Sequence, residues 1–349
     1  MSSLILPDKP AFAMLRPSIP EFVPRDHKDL ADVLVTRLGF GQLLCRADAA
    51  ETVDPTGYYL FRHDRGNASF VKVVEEHRAM RQSAADAVAG WVADFGVRTP
   101  KAIAGFPFRF GGRYTVFAYE YIPSRFAKAS PSDLRSVGHT LGVMHTALSQ
   151  RTDVDETRRL SALRVSMLNY RREIVCAGKY LPESKMWHVS AILEREAPIF
   201  KLLDEAANCQ SLHGDLVYGN ILFPLAGGDP VVLDFEDCGV SWLPVVFDLA
   251  LVLERFILLP EENDDNAFRL AEEMLRGYIQ TIGQSKKILA CRLSDCLRLL
   301  AARALTTLAE MEARGVGVDA SEWGKFLSLH RHALSRTSLL SRIEARYLV

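Results

Sequence analysis

Two short segments in the second half of the sequence bring carboxylate and amide side chains to a fixed spacing. The first is His213-Gly214-Asp215, with Asn220 five residues after the aspartate, and Asp234 follows fourteen residues beyond Asn220. A carboxylate can accept or orient the proton of a substrate hydroxyl. An asparagine oxygen and a second carboxylate are hard oxygen ligands of the kind that Mg²⁺ prefers. The pattern is typical of phosphoryl transfer, which needs positioning and charge neutralisation more than covalent help.

A lysine far upstream completes this set of residues. Lys72 lies within the apolar run 69–74, and a lysine on a strand can hold the phosphates of a nucleotide. Alone, the same lysine can simply extend its ammonium group into solvent. Together with Asp215, Asn220 and Asp234 it indicates transfer of the γ-phosphoryl group of ATP, with Mg²⁺ bridging phosphate oxygens.

The elements that must position these residues change character along the chain. The first third alternates short apolar, aromatic or β-branched runs with turn residues, which predicts strands, and one helix follows the third strand. The predicted strands are 41–47, 57–62, 69–74, 102–110 and 113–121, and the helix is 76–95. A proline-rich arm over the first 25 residues and a short helix at 26–38 precede them.

Helices dominate after Pro123. They are predicted at 131–150, 156–176, 183–207 and from about 245 onward, with a short β-rich interval at 222–223 and 231–235. A chain of 349 residues has room for two domains. We therefore predict an α+β, two-lobed chain. Residues 1–122 would form an N-terminal arm and a β-rich nucleotide-binding lobe, and 123–349 a larger helical lobe with the catalytic and metal loops and the acceptor site.

Composition narrows the class of protein. The net charge of −1 argues against a nucleic-acid binder, which usually carries excess Lys and Arg. No window approaches the roughly 20 apolar residues of a membrane span, and we expect no signal peptide. The six cysteines form no CxxC pair, so we interpret them as reduced thiols of a cytoplasmic protein rather than as a zinc site. The oligomeric state stays open.

The order and spacing of the motifs resemble the aminoglycoside phosphotransferase family, with its choline-kinase-like relatives, within the protein kinase-like fold. The matching stretches are 213–222 and 233–237, and the runs 247–250 and 141–145 are further similarities. The resemblance extends from about residue 59 to residue 253. It implies a small antiparallel sheet lobe with one helix, a larger helical lobe, ATP and Mg²⁺ as cofactors and a small-molecule alcohol as partner.

The resemblance also implies a role for each site residue. Asp215 resembles the catalytic base, Asn220 and Asp234 the magnesium ligands, and Lys72 the phosphate-binding lysine. In the family a glutamate on the following helix holds this lysine. Here Asp86 stands near that position and is one methylene shorter.

The nucleotide-binding backbone is implied in the same way. Glu120, Tyr121 and Ile122 stand where the hinge of the family hydrogen-bonds adenine through its backbone. The segment 48–52 stands where a glycine-rich phosphate loop is expected, but it has no glycine and two acidic residues.

Other polar residues of the motifs have structural interpretations. We expect His213 and His145 to be packed histidines, and Asp248 to accept backbone N–H bonds from the catalytic loop, since a buried carboxylate needs such donors. Glu236 and Asp237 are either additional acids on the metal side or solvated residues.

Three interpretations of function remain at this point. The first is a kinase that phosphorylates a small alcohol such as an aminoglycoside, an amino alcohol or a sugar. The second is a pseudokinase or nucleotide-binding scaffold, which the missing glycine-rich loop favours. The third is a kinase that acts on protein Ser or Thr. The sequence leaves the acceptor open.

Overall fold

The computed structural model of the chain describes residues 22–24, 30, 33–34, 41–46, 56–63, 68–178, 183–201, 208–283 and 291–348. Its strands are β1 (Phe22–Pro24), β2 (Gly41–Arg46), β3 (Gly57–His63), β4 (Ala68–Glu75), β5 (Phe108–Phe110), β6 (Tyr114–Glu120), β7 (Ser124–Phe126), β8 (Cys209–Ser211), β9 (Ile221–Pro224), β10 (Val231–Val232) and β11 (Trp242–Pro244). Most of the predicted arm, much of helix 26–38 and the acidic segment 48–52 lie outside the described residues.

The α-helices are α1 (Glu76–Asp94), α2 (Pro131–Ser149), α3 (Asp155–Cys176), α4 (Glu183–Arg195), α5 (Ala197–Phe200), α6 (Val246–Leu253), α7 (Asp264–Ile282), α8 (Leu293–Ala313), α9 (Ala320–Ser335) and α10 (Thr337–Tyr347). Short 3₁₀ segments cover Tyr218–Asn220 and Phe235–Val240, and a π-helical turn covers Glu254–Leu258. Among the described residues, no helix is long and apolar enough to cross a membrane.

The chain divides into two compact units. The first, here called the sheet unit, comprises the described residues up to Phe126 together with Gly219–Glu236. The second, the helical unit, comprises the described residues of Ala127–Tyr218 and Asp237–Val349. The sheet unit therefore includes the short β-rich interval that the sequence analysis placed with the helical lobe.

An antiparallel sheet of six strands, in the order β1-β2-β3-β4-β6-β5, forms most of the sheet unit. Residues at alternate positions of its central strands are buried in one cluster, because side chains two apart on a strand share a face. The cluster contains Leu30, Leu34, Tyr59, Phe61, Val71, Val73, Val116 and Ala118. Lys72 lies between two of these positions on β4, so its side chain leaves from the opposite face, beside Tyr58 and Phe117 in the strand register.

The predicted strands and helix of this unit agree with the structure except at 102–110. Only Phe108–Phe110 is a strand there, and Ala102 forms an isolated bridge with Tyr119. The reason is local: Gly105 adopts a positive φ of 87°, and Pro107 has no N–H for a strand ladder.

The helical unit is built around α6, whose eight residues are all buried. A helix that is apolar on every side belongs in a core. The predicted helix 183–207 is wrong as a continuous element, because the chain turns at Glu196 between α4 and α5. The Glu196 carboxylate is fully buried, and it contacts His330 at 2.7 Å and Arg298 at 3.2 Å.

Two helices of this unit approach each other through glycines. A Cβ placed on Gly138 of α2 would lie 1.9 Å from the carbonyl oxygen of Met274 on α7, and one on Gly277 of α7 would lie 2.2 Å from the carbonyl oxygen of Arg135. Real side chains never come so close to backbone atoms. The α2–α7 contact therefore depends on having no side chain at these positions.

We expect Gly138→Ala to destabilise the protein by about 3 kcal/mol, because the added methyl group forces two packed backbones apart. Gly90→Ala is the matched control: Gly90 also lies within a helix, but a Cβ there meets no atom within 4 Å. That change should stabilise slightly, by about 0.5–1 kcal/mol. Urea unfolding of both variants measures the difference, and equal effects would contradict the close approach.

Candidate active site

The loop that carries Asp215 is held by one buried carboxylate. Asp248, in the first turn of α6, accepts the backbone N–H groups of His213 and Gly214, each at 3.0 Å. The expectation that Asp248 binds the backbone of this loop is confirmed. The Asp215 side chain itself is exposed. The backbone next to the predicted base is thus fixed while its carboxylate faces solvent.

His213 and His145 are both buried and hydrogen-bonded, as expected. The Nδ1 atom of His213 accepts the backbone N–H of Asp215 at 3.3 Å. His145 lies 3.2 Å from a carboxylate oxygen of Asp248 through Nε2 and 2.9 Å from the Tyr278 hydroxyl through Nδ1. Since the carboxylate accepts hydrogen bonds, Nε2 of His145 donates to it, and the Tyr278 hydroxyl then donates to Nδ1. Burial and the charge of Asp248 raise the pKa of Tyr278, so it keeps the proton that it donates.

The glycine of the His-Gly-Asp motif is required by geometry. Gly214 adopts a positive φ of 83°, a conformation that side chains disfavour. A Cβ there would also lie 2.4 Å from the Oγ atom of Ser241. The motif therefore combines a functional residue with a backbone turn that only glycine fits.

The two predicted metal ligands flank one end of the β9–β10 pair. Val232 pairs with Ile221 in the strand register, and the N–H of Leu233 donates to the carbonyl of Asn220 at 2.9 Å. Asn220 therefore lies across from Leu233, and Asp234 is the next residue, although fourteen residues separate the two ligands in the chain. Asp234 is exposed and has a positive φ of 58°, and such strained backbone in a non-glycine residue is concentrated at functional sites.

This arrangement fits a magnesium ion bound jointly with a nucleotide. Among the described residues, no group of three or more His, Cys, Asp or Glu could hold a metal by itself. Two oxygen-bearing side chains leave most of the coordination to phosphate oxygens and water, which is how proteins usually bind Mg²⁺.

Lys72 forms an ion pair with Glu236, two residues after Asp234. Both side chains are largely buried, with 8% and 11% of their surfaces exposed. Arg81 and Arg78 approach the same carboxylate at 3.4 and 3.6 Å. The phosphate-binding candidate is therefore joined to the segment that carries a predicted metal ligand.

Asp86 has other partners. Its carboxylate accepts the hydroxyl of Tyr119 at 2.8 Å and the amide of Gln82 at 2.9 Å. Burial raises the pKa of Asp86, and those hydrogen bonds and the charge of Lys72 only partly offset this effect. The structure thus differs from the pairing inferred from the family: Lys72 contacts the longer Glu236, and Asp86 supports the strand beside it.

The hinge candidates lie at the end of β6. The N–H of Glu120 donates to Lys101 at 2.8 Å, and that of Tyr121 donates to Ala68 at 3.2 Å. For the N–H of Ile122, the part of the chain that the structure describes shows no acceptor. Within this segment, the Ile122 N–H is thus a backbone donor that the described residues leave available.

Glu236 is the residue whose role the sequence reasoning left undecided. The signal was its place in Asp234-Phe235-Glu236, because alternate residues after a strand can return to the same region. Burial raises the pKa of Glu236, but the hydrogen bond from Lys72 and the nearby positive charges outweigh burial. The pKa of Glu236 therefore lies below its ordinary value.

A lowered pKa makes this ion pair sensitive to acid. The stabilisation is complete above the ordinary glutamate pKa of about 4.3 and is lost as the pH falls through the lower value of the folded protein. Glu236→Gln should reduce the free energy of unfolding by about 2 kcal/mol at neutral pH. The difference from wild type should vanish in acid. Urea unfolding over a pH series measures it, with Glu194→Gln as control, since Glu194 is an exposed glutamate of α4. A pH-independent difference would contradict the ion pair.

The fold and these contacts define the class of protein. An antiparallel sheet carries a lysine on its central strand, and a helical unit carries a fixed His-Gly-Asp loop. This is a two-lobed protein kinase-like fold. The sequence model of the phosphotransferase enzyme family matches residues 51–283, about two thirds of the chain, and the protein therefore belongs to that family. It is a kinase, an enzyme that transfers phosphate to an alcohol group.

Solved structures agree with this fold. The amicoumacin kinase hAmiN, in complex with AMP-PNP, Ca²⁺ and Ami, has 17% identity and a TM-score of 0.61, over 90% of this chain and 94% of that one. Spectinomycin phosphotransferase, in complex with ADP and spectinomycin, has 12% identity and a TM-score of 0.55, over 93% and 100%. An aminoglycoside phosphotransferase from Alicyclobacillus acidocaldarius has 14% identity and a TM-score of 0.53, over 86% and 92%. No curated protein matches the chain in sequence.

Proposed function

We propose that this enzyme transfers the γ-phosphoryl group of ATP, with Mg²⁺, to a hydroxyl group of a small molecule. The observation that carries the proposal is the arrangement of the sheet unit. Lys72 is bound to Glu236, and Asp234, two residues earlier, follows Leu233, whose N–H donates to the carbonyl of Asn220. One cation and two oxygen ligands for a metal thus belong to one short stretch of structure.

Each of these side chains has a distinct task in the proposed reaction. Lys72 binds the α- and β-phosphates, and Glu236 keeps its ammonium group in place. Asn220 and Asp234 hold the metal, whose positive charge neutralises the phosphate oxygens when bound. The Ile122 N–H and the backbone of Glu120 and Tyr121 orient adenine.

Asp215 acts on the acceptor. Its exposed carboxylate orients the hydroxyl and accepts its proton as the oxygen attacks phosphorus. The hydrogen bonds from His213 and Gly214 to Asp248 hold the loop still during this step. A fixed carboxylate raises the rate mainly because it removes the need to search for the reactive geometry.

A small molecule is favoured over a protein as acceptor by the solved structures of similar fold, whose partners are amicoumacin and spectinomycin. Identities of 17% and 12% support a shared fold and leave the acceptor of this enzyme to experiment.

A titration with AMP-PNP tests the nucleotide half of the proposal. Wild-type protein should bind AMP-PNP more tightly with Mg²⁺ than without it, and Asp234→Asn should lose that difference. Metal-independent binding, or no binding, would favour a scaffold instead. With ATP, phosphate should then appear on an added alcohol. A protein kinase would instead place it on protein.

A further inference from the structure

A narrow pocket lies within the helical unit, among α3, α8 and the segment 240–247. Its enclosed part is small, with about 20 Å³ of space for the centre of a bound atom such as a ligand oxygen, and the wider space of about 360 Å³ includes open solvent at its mouth. Part of the lining is apolar, from residues such as Val165, Leu168, Phe247 and Leu299. The polar part includes Arg164, Ser241 and Arg303. Apolar walls with a few polar groups are typical of sites for small ligands.

Two hydrogen-bonding atoms of this lining are buried without a partner among the described residues. Arg164 donates through Nη2 to Asp237 at 3.1 Å, but its Nη1 atom has no acceptor. Ser241 is 1% exposed, and its Oγ atom also has no partner. Native proteins leave few buried polar atoms unsatisfied, so each such atom calls for an explanation. A ligand oxygen that hydrogen-bonds to both atoms in the pocket explains why neither has a protein partner.

Arg303 adds a second guanidinium to the same lining. Burial and the charge of Arg164 lower its pKa to about 10, while the carboxylates of Asp237 and Asp215 act in the opposite direction. The group therefore stays charged at neutral pH. Within the described chain, no carboxylate forms an ion pair with it. Ser241 of the same lining lies beside Gly214, since a Cβ on Gly214 would be 2.4 Å from its Oγ atom, so the pocket adjoins the loop that carries the predicted base.

We propose that the acceptor alcohol carries an anionic group, a carboxylate or a phosphate, that binds Arg164, Arg303 and Ser241 while its hydroxyl reaches Asp215. This inference rests on the proposed function and names its class of substrate. The planar guanidinium group matches the geometry of both anions. A polycationic acceptor has no acceptor atom for these buried donors and would leave them unsatisfied.

A competition between matched alcohols tests the charge of the acceptor. The enzyme receives ATP, Mg²⁺ and a mixture of glycerate with glyceramide, gluconate with gluconamide, glycerol 3-phosphate with glycerol, and the cation glucosamine. Mass spectrometry identifies the phosphorylated compounds. We expect each acid to be preferred over its neutral partner by about 10- to 100-fold in kcat/KM, the size of a charged hydrogen bond. Comparison of glycerate and gluconate with glycerol 3-phosphate shows whether the enzyme prefers a carboxylate or a phosphate.

Variants of the lining locate the preference. Arg164→Met and Arg303→Met should raise KM for the acidic acceptor about 10- to 100-fold and abolish the preference for acid over amide. Ser241→Ala should also raise KM for the acidic acceptor, but by less. If an arginine variant does not fold, Ser241→Ala still tests the site. Arg159→Met is the control, because Arg159 is an exposed arginine of α3 paired with Glu156.

A binding measurement decides the inference without turnover. With AMP-PNP and Mg²⁺ present, sulfate at constant ionic strength should raise the Tm of wild type more than that of Arg164→Met or Ser241→Ala. Equal shifts, or preferred phosphorylation of the amides or glucosamine, would overturn the anionic acceptor while leaving the kinase assignment intact. Loss of metal-dependent AMP-PNP binding would instead remove the proposed function itself.

Discussion

Replacement of Asp215 by Asn should lower kcat by about 10²- to 10⁴-fold, the contribution of a positioned general base. The amide has nearly the same shape but cannot accept the proton of the acceptor hydroxyl. The side chain is exposed, and the loop is held through the backbone of His213 and Gly214. The free energy of unfolding and the affinity for AMP-PNP with Mg²⁺ should therefore remain those of wild type.

The control for this variant is Asp229→Asn. Asp229 is also an exposed aspartate, but it lies in the turn between β9 and β10 and not in the His213-Gly214-Asp215 motif. It should keep the wild-type kcat. Single-turnover assays of the Asn variant then separate chemistry from product release. A rate for Asp215→Asn within threefold of wild type (roughly 0.7 kcal/mol) would contradict its assignment as base.

The proposed catalytic loop could be inferred from sequence because its residues are close in the chain. The spacing of Asp215 and Asn220 lies within one short loop, and the turn at Gly214 demands glycine there. The strands at 57–62 and 69–74 and the helix at 76–95 were also predictable, since local patterns of apolar residues determine them. The family resemblance added the roles, which stay predictions until they are measured.

Contacts across long stretches of chain were not accessible in this way. Glu236 lies 164 residues from Lys72, and its place two residues after Asp234 does not identify Lys72 as its partner. The contact of Glu196 with His330, which is 134 residues away, is another such partner. The break between α4 and α5 beside it is different, because Pro198 in the first turn of α5 is a local signal. Partners of this kind are set by how elements pack, so sequence reasoning favoured the nearer Asp86.

The largest effect on stability should follow from Asp248→Ala. The change removes the acceptor of the backbone N–H groups of His213 and Gly214 and of the Nε2–H of His145. Each buried donor that loses its partner costs about 1–3 kcal/mol, so we expect a loss of about 3–5 kcal/mol, the range for removing one partner of a buried charged network. Activity should fall with it, because the loop that carries Asp215 loses its anchor.

Tyr278→Phe separates the anchor from the rest of the network. It removes the hydroxyl that bonds to His145 but leaves every bond to Asp248, so it should cost about 1 kcal/mol with kcat nearly unchanged. Urea unfolding and steady-state rates of both variants give the comparison. If the two variants lose equal activity, the network acts as one packed unit; if only Asp248→Ala does, the carboxylate holds the catalytic loop in place, as its bonds to two successive backbone N–H groups indicate.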